Sequence, residues 1–365
     1  MSGKRNLTIN GRTIQASPGA TLIEAALEAG IVIPQDCCTG QCETCRVTLR
    51  GGTVDAAGTE EDGTILACQA RVSGDAEIGF EPVPLAMKTG GTVTAIRNLG
   101  GEILEITVET SKSVPYLPGQ YMKVAFAGFP ERDYSPTLTL DGLREINQLI
   151  FHIRQMDDGI VSSALGGRIA PGRKVRVRGP FGNAYLRQGE GRIVLVSSGT
   201  GFAPNWSIAV AARLGQPHRP LHVIASTRDP RNLYMRPAFD WLARHGAAEA
   251  ILTASGATPL PPARTGRAIE HLPALRPGDT VYAAGSGEMV ASIKALARAA
   301  GAACYADPFL PSGNDMPLGM KIVRFLTGNR PKPSPVHAQI ESLAAGLAEP
   351  APAGEALRRD AAARR

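Results

Sequence analysis

The sequence predicts a multidomain chain of the α+β and α/β classes, in which a small α+β domain and an antiparallel β-barrel precede a doubly wound α/β domain. The length of 365 residues exceeds that of one typical domain. In residues 88–188, short β-rich runs such as LIFHIR and KVRVRG are separated by Pro-Gly and Gly-Pro turns, which is typical of a small barrel. From Arg192 onward, apolar strands such as IVLVS alternate with helical patterns, which indicates a parallel sheet.

Shifts in composition set the predicted boundaries of these parts. The first domain is expected over residues 1–84, the barrel over 88–188 and the α/β domain over 189–312. Residues 313–365 are rich in Ala, Pro, Gly and Arg and are expected to be a mostly flexible extension. The stretch EPVPLAMKTGG contains Pro and Gly and predicts a linker near residues 82–91.

Local signals define the start of the first domain. The runs RNLTI and RTIQA flank Asn10-Gly11, a dipeptide that accepts the positive φ angles of a tight hairpin turn. Thr21 and Glu24 form a capping-box pattern ahead of LIEAALEAG, and Gly30 ends that helix. A hairpin and a short helix are therefore predicted before residue 31.

Composition excludes several classes of protein. A chain with 43% hydrophobic and 20% charged residues can bury a core, so a wholly disordered chain is excluded. No apolar run approaches the roughly 18 to 20 residues that span a bilayer, and the basic start lacks the apolar stretch of a secretory signal, so no membrane association and a cytoplasmic location are expected. Scattered basic residues and 5% aromatics argue against nucleic acid as a partner.

The cysteines carry the most specific signal. Cys37, Cys42 and Cys45 are separated by four and then two residues, and Cys68 follows in ILACQ, which is the spacing of a plant-type [2Fe-2S] site. A four-cysteine zinc site, the alternative, would normally contain two C-x-x-C pairs, and this chain has only one. Cys38 is either an alternative ligand or a small, poorly exposed neighbour of the cluster.

The segments PQDCCTGQCETC and ILACQ resemble the plant-type ferredoxin domain over about 80 residues. The resemblance implies a β-grasp-like fold around the cluster. Gly40 suits a backbone wrapped closely around such a group. The chain departs from the pattern at Glu43, where many relatives have Gly.

The barrel segments PGQYMKVAF, RDYS and FHIRQMDDGIVSSAL resemble the flavin-binding barrel of the ferredoxin-reductase family, and specifically the reductases of bacterial ring-hydroxylating oxygenases. The resemblance implies that Arg132 binds the FAD pyrophosphate, Tyr134 packs on the isoalloxazine and Ser135 bonds near its reactive nitrogen. It also implies a second set of flavin contacts at Gly159, Val161 and Ser162, with His152 and Arg154 as weaker candidates on one strand face. Taken singly, Tyr134 suits a core position, Arg132 a solvated surface and Ser162 a helix cap.

The run IVLVSSGTGFAP places a Gly-Thr-Gly turn between a strand and a helix, where free N–H groups face a pyrophosphate. It resembles the nicotinamide-dinucleotide loop of the same family, which assigns Gly199, Thr200, Gly201 and Pro204. The family further implies ribose recognition by Arg228 or Arg231, with NADH or NADPH left open, and a nicotinamide contact at Gly285, where Ala284 replaces the usual Cys. Phe309, in YADPFLP, either covers the flavin or is an ordinary core aromatic.

These three sites together predict an enzyme that moves electrons. A hydride carries two electrons and a [2Fe-2S] cluster accepts one, so a flavin between them is required, and no catalytic acid or base is predicted. The resemblance implies a monomeric NAD(P)H-dependent reductase that supplies a terminal oxygenase, a Rieske-type ring-hydroxylating enzyme, or its ferredoxin. Supply of a diiron monooxygenase or a deoxysugar dehydratase, and a non-catalytic redox sensor, are the alternatives. The net charge of −4 on residues 1–80, against +10 on the rest, suggests docking on a basic partner surface.

Overall fold

Residues 3–309 are described by a computed structural model, and they contain three β-sheets that follow one another along the chain. The predicted extension over 313–365 lies outside the described residues. No helix within residues 3–309 is long and apolar enough to cross a bilayer. The multidomain α+β and α/β prediction is confirmed, and the sheets place the sequence motifs relative to one another.

The first sheet has five strands in the order β2-β1-β5-β3-β4. Its elements are β1 (Arg5–Ile9), β2 (Arg12–Ala16), α1 (Leu22–Glu28), β3 (Arg46–Asp55), β4 (Thr64–Leu66) and β5 (Arg71–Gly79). The hairpin turn forms as predicted, with φ of 47° at Asn10 and 84° at Gly11. The Thr21 side chain accepts a hydrogen bond from the Glu24 N–H, and the Glu24 carboxylate accepts one from the Thr21 N–H, which confirms the capping box.

The second sheet has six antiparallel strands in the order β10-β7-β6-β11-β8-β9. Its strands are β6 (Met87–Gly100), β7 (Ile103–Thr110), β8 (Tyr121–Phe126), β9 (Arg132–Tyr134), β10 (Gln148–Arg154) and β11 (Lys174–Phe181). A bridge between Thr137, just after β9, and Ile150 on β10 brings the two sheet edges together. The sheet therefore curls around an apolar core that includes Phe126, Phe151 and Val177.

The predicted linker is shorter than its composition suggests. Strand β6 already begins at Met87, and Gly90 and Gly91 pair with Arg176 and Val175 of β11. A side chain at Gly91 would approach the Glu109 backbone oxygen to 2.7 Å, so this glycine permits close strand packing rather than flexibility. The prediction of a linker up to residue 91 is wrong for residues 87–91.

The third sheet is parallel, with the order β15-β14-β13-β12-β16-β17. Its elements are β12 (Ile193–Ser198), α2 (Phe202–Gly215), β13 (Leu221–Thr227), α3 (Arg236–Arg244), β14 (Glu249–Ala254), β15 (Arg264–Thr265), β16 (Thr280–Ser286), α4 (Gly287–Ala299) and β17 (Ala303–Phe309). One face packs on α2 and α3 around Trp206, and the other on α4 around Ile293. Because the strand order reverses at β12, a crevice forms between the carboxyl ends of β12 and β16, where such folds bind ligands.

Candidate functional site

The cysteine loop, defined here as residues 36–45, joins the region after α1 to β3. Three of its residues have left-handed backbone angles, with φ of 53° at Cys38, 79° at Gly40 and 53° at Glu43. A Cβ at Gly40 would meet the Gln69 side chain at 3.3 Å, and the positive φ is one that glycine adopts most readily, so the position favours glycine. Cys45 is buried at 3% exposure against the first-domain core, and this anchors the loop.

The four predicted ligand cysteines form two pairs. The Cys42 thiol donates to the Cys37 sulfur, which lowers the pKa of Cys37 to about 4, and the N–H groups of Thr39 and Cys42, each 3.4 Å away, act in the same direction. In the second pair, a hydrogen bond from Cys45 lowers the pKa of Cys68 to about 6, aided by the Gln69 amide. The arrangement of the four cysteines in two pairs matches two irons that each take two thiolates.

The fifth cysteine of this region, Cys38, belongs to neither pair. Cys38 turns away from the pairs, donates to the Gln35 side chain at 3.2 Å, and has its pKa raised to about 11 by burial, as suits a neutral neighbouring thiol.

The candidate flavin residues lie at strand β9 and just beyond it. In the described part of the chain, the Arg132 Nη2 atom is buried without a hydrogen-bond partner. This suits a guanidinium whose role is to bind an anion. The Tyr134 ring lies against Phe151 with centroids 6.0 Å apart. The Ser135 hydroxyl donates to the Asp307 carboxylate on β17 at 3.4 Å, so the barrel and the α/β domain meet at this residue.

The second group of flavin candidates forms a compact turn after β10. A Cβ at Gly159 would lie 2.1 Å from the Ser162 hydroxyl oxygen, which itself accepts the Met156 N–H at 3.3 Å. Val161 is buried at 2% exposure in the barrel core and fixes this turn to the sheet. The turn thus presents Ser162 at a short 3-10 helix, the position that the sequence indicated.

A cavity of about 770 Å³ opens at the crevice between β12 and β16. This cavity is large enough to hold part of a dinucleotide. It lies at the carboxyl ends of the strands, where open parallel sheets bind such ligands. Six of the residues singled out in the sequence line it: Arg154, Gly199, Thr200, Arg228, Gly285 and Phe309. Arg154 is tied to Glu102 at 2.8 Å, and Phe309 is 39% exposed, so Phe309 is not an ordinary core aromatic.

Gly201 and Pro204 shape the cavity without lining it. A Cβ at Gly201 would lie 2.2 Å from the Ala284 backbone oxygen, so the Gly-Thr-Gly turn packs directly on β16. Pro204 is buried in the first turn of α2. Ala284 itself is buried at 2% exposure, and the next residue, Gly285, has a φ of 125°.

His152 is placed apart from the cavity. Its imidazole is wholly buried, lies edge-on to the Tyr234 ring at 5.2 Å and stands 3.7 Å from the Glu105 carboxylate across the strands. Burial lowers the pKa of this imidazole, which keeps it neutral. It therefore packs between the barrel and the α/β domain.

Sequence reasoning missed the contacts between the cysteine loop and the other domains. Asp36, next to Cys37, accepts hydrogen bonds from Tyr121 Oη at 2.7 Å and Lys123 Nζ at 2.9 Å, both on β8. Lys123 also contacts Asp133 at 3.0 Å, between the flavin candidates Arg132 and Tyr134. Strands β8 and β9 thus connect the cysteine loop to the flavin candidates. The contacts of Asp36 with Tyr121 and Lys123 join residues more than 80 positions apart, so the sequence carried no local signal for them.

The fold and site define an iron-sulfur flavoprotein with a dinucleotide cavity. Residues 7–73 match the family described as the 2Fe-2S iron-sulfur cluster binding domain, and residues 97–185 match the oxidoreductase FAD-binding domain. These matches establish a [2Fe-2S] cluster and FAD as the cofactors that the two domains hold.

Two relatives and one solved structure match between 62% and 84% of the chain. The ferredoxin–NAD(P)(+) reductase component of a naphthalene 1,2-dioxygenase system from Pseudomonas putida is 32% identical over 241 residues, which cover 62% of this chain and 71% of that protein. The corresponding component of the naphthalene 1,2-dioxygenase/salicylate 5-hydroxylase systems of a Ralstonia species is 30% identical over 84% of this chain and 97% of its own. The crystal structure of an Amycolatopsis cytochrome P450 reductase superposes with a TM-score of 0.63 at 27% identity, covering 84% of this chain and 99% of that one.

The chain belongs to the family of ferredoxin–NAD(P)(+) reductase components of oxygenase systems. It is an oxidoreductase that carries electrons from NAD(P)H through FAD to a [2Fe-2S] cluster. The function predicted from the sequence is confirmed at this level.

Proposed function

We propose that the protein takes a hydride from NADH and delivers single electrons to the terminal component of a Rieske-type ring-hydroxylating oxygenase, or to its ferredoxin. The observation that carries the proposal is the position of β8 and β9. Lys123 on β8 contacts the cysteine loop, and Ser135, just after β9, contacts β17 beside the dinucleotide cavity. Residues for the three cofactors therefore meet around one pair of strands.

Each group of residues has a distinct task in this proposal. Cys37, Cys42, Cys45 and Cys68 hold the cluster, and the N–H groups of the cysteine loop stabilise the charge on its sulfurs. Arg132, Tyr134 and Ser135, with the turn at Gly159, Val161 and Ser162, hold FAD. The bound FAD supplies the conversion of a two-electron donor into single electrons. The dinucleotide cavity is shaped by Gly201 and Pro204, and it is lined by Arg154, Gly199, Thr200, Arg228, Gly285 and Phe309.

Replacing Arg132 with alanine is expected to weaken FAD binding by about one to two orders of magnitude, because a charge-assisted pair with the pyrophosphate is lost. The measurement is the FAD retained after gel filtration, together with fluorescence titration of the apoprotein. Lys112→Ala removes an exposed charge from the same domain and serves as the control. An Arg132→Ala protein that retains FAD like the control would refute this role.

The donor is proposed to be NADH rather than NADPH because of Asp229, which lines the cavity just after β13. Hydrogen bonds from Arg231 lower the pKa of Asp229, so this residue carries a negative charge. A carboxylate here can accept ribose hydroxyls and repels a 2′-phosphate. Arg231, one of the two arginines considered for that phosphate, is already engaged by Asp229 at 2.6 Å.

Wild-type protein is therefore expected to reduce its flavin faster with NADH than with NADPH. Asp229→Asn should raise the rate with NADPH by about tenfold and change that with NADH little, because the repulsion of the phosphate is removed. Glu190→Gln removes the same charge near the opposite, amino-terminal edge of the sheet and should have no effect. A wild-type preference for NADPH would contradict the assignment.

The acceptor is tested by reconstitution. The reduced protein is mixed with a Rieske oxygenase component, a diiron monooxygenase component or a deoxysugar dehydratase, and product formation per NADH is measured. The proposal predicts efficient coupling only with the first.

Rapid anaerobic bleaching by NADH separates a reductase from a redox sensor, which would be reduced by dithionite alone. We further propose that the protein is a monomer. Its proposed location is the cytoplasm, since the thiol ligands require a reducing compartment.

A further inference from the structure

One lysine of the α/β domain binds two carboxylates of the first domain. Lys294 lies on α4, and its Nζ atom stands 3.0 Å from Glu43 Oε1 and 2.8 Å from Glu61 Oε2. Glu43 lies inside the cysteine loop, between the ligands Cys42 and Cys45. The cysteine loop is therefore fixed by α4 in addition to its contacts with β8.

The backbone at Glu43 indicates that this contact is used. Glu43 has a φ of 53°, in the region that glycine adopts most readily. Here the side chain is present in spite of the backbone conformation, and its carboxylate contacts Lys294 and Arg46, the latter at 3.2 Å. Such a conformation costs free energy for a residue other than glycine, and the two ion pairs of the Glu43 side chain help to hold it.

The pairing is shielded from water. The side chains of Lys294, Glu43 and Glu61 are only 28%, 24% and 23% exposed. Burial alone would lower the pKa of Lys294, but the hydrogen bond to Glu61 and the charge of Glu43 raise it, so the amine stays charged. One turn further along α4, Arg298 pairs with Asp62 at 3.5 Å, but both side chains are more than half exposed and that pair contributes little.

We propose that Lys294 is a positioning residue for electron transfer to the cluster: it holds the cysteine loop in the orientation in which β8 and β9 face it. The inference rests on the proposed function, because it assumes that the cluster is reduced from the flavin site. Lys294 itself is neither oxidised nor reduced. NADH loses two electrons, and the cluster gains one in each transfer.

The same contacts change the expectation for partner docking. Four of the ten acidic residues in the first 80 positions, Asp36, Glu43, Glu61 and Asp62, already pair with basic residues of the other two domains. The acidic surface around the cysteine loop therefore serves contacts within the chain. A basic partner would have to use the remaining carboxylates or displace α4.

The test uses holoprotein with Lys294→Glu, Lys294→Arg and Arg298→Glu, mixed with NADH under anaerobic conditions. Flavin bleaching and cluster reduction are followed separately by absorbance and electron paramagnetic resonance. Lys294→Glu should slow cluster reduction by about tenfold, because it places a third carboxylate beside two others, and should leave flavin bleaching unchanged. Lys294→Arg should restore the wild-type rate. Arg298→Glu, with the same charge change on the same helix, should have little effect.

Hydrogen exchange of the oxidised proteins gives an independent readout. The amides around Glu61 and along α4 should exchange faster in Lys294→Glu than in Arg298→Glu. Unchanged cluster reduction in Lys294→Glu, or equal slowing in Arg298→Glu, would overturn the inference. A wild type whose flavin is not bleached by NADH would instead overturn the proposed function.

Discussion

Replacing Cys45 with serine is expected to nearly abolish electron delivery through the cluster to cytochrome c while NADH still reduces the flavin. Cys45 is the most buried of the four proposed ligand cysteines and pairs with Cys68, so its loss would remove one of the two thiolates of one iron. Cytochrome c reduction should fall by on the order of 100-fold or more. Reduction of ferricyanide, which takes electrons from flavins directly, should persist. Iron content is measured on the same samples.

The neighbouring Cys38 provides the matched control. A serine at this position can donate to Gln35 as the thiol does, so Cys38→Ser should keep the iron and the cytochrome c activity. If Cys45→Ser kept its iron and full activity, or if Cys38→Ser lost them, the ligand assignment would be wrong.

Replacing Gly201 with alanine should be the most damaging change in the dinucleotide cavity. The added Cβ would lie 2.2 Å from the Ala284 oxygen and 2.7 Å from the Gly285 Cα, and backbone atoms cannot rotate away. The start of α2 must therefore move from β16 at the crevice. We expect a loss of about 2 to 3 kcal/mol in the free energy of unfolding of this domain. NAD⁺ binding, measured by titration, should weaken by more than about tenfold.

Gly215→Ala is the control for this substitution. Gly215 ends the same helix, has no heavy atom within 4 Å of an added Cβ and does not have a positive φ. Alanine should leave NAD⁺ binding unchanged and raise stability slightly, by up to about 1 kcal/mol, through helix propensity. Equal behaviour of the two alanine variants would contradict the packing argument.

The features that the sequence predicted are those determined by nearby residues. The Asn10-Gly11 turn and the Thr21–Glu24 capping box depend on backbone angles and hydrogen bonds within a few positions. The local sequence was therefore enough to predict them. The cysteine spacing was equally local. The chain around Gly90 and Gly91 was misjudged because glycine there serves strand pairing, which depends on partners in β11 and β7.

The contacts that connect the domains had no such signal. Lys294 and Glu43 are separated by 251 positions, and their meeting depends on how α4 lies against the cysteine loop. Ser135 was predicted from its motif, but the segment YADPF carries no local signal for its partner Asp307, which lies 172 positions away. Asp307 is enclosed enough that burial raises its pKa to about 7, a property of the folded chain that the segment alone does not carry.

The most direct test of the whole account is an anaerobic titration of the purified protein with NADH, followed by visible absorbance and electron paramagnetic resonance. We expect two iron atoms and one FAD per chain, bleaching of the flavin absorbance, and the resonance of a reduced [2Fe-2S] cluster. A colourless protein without iron and without a riboflavin derivative would contradict the account.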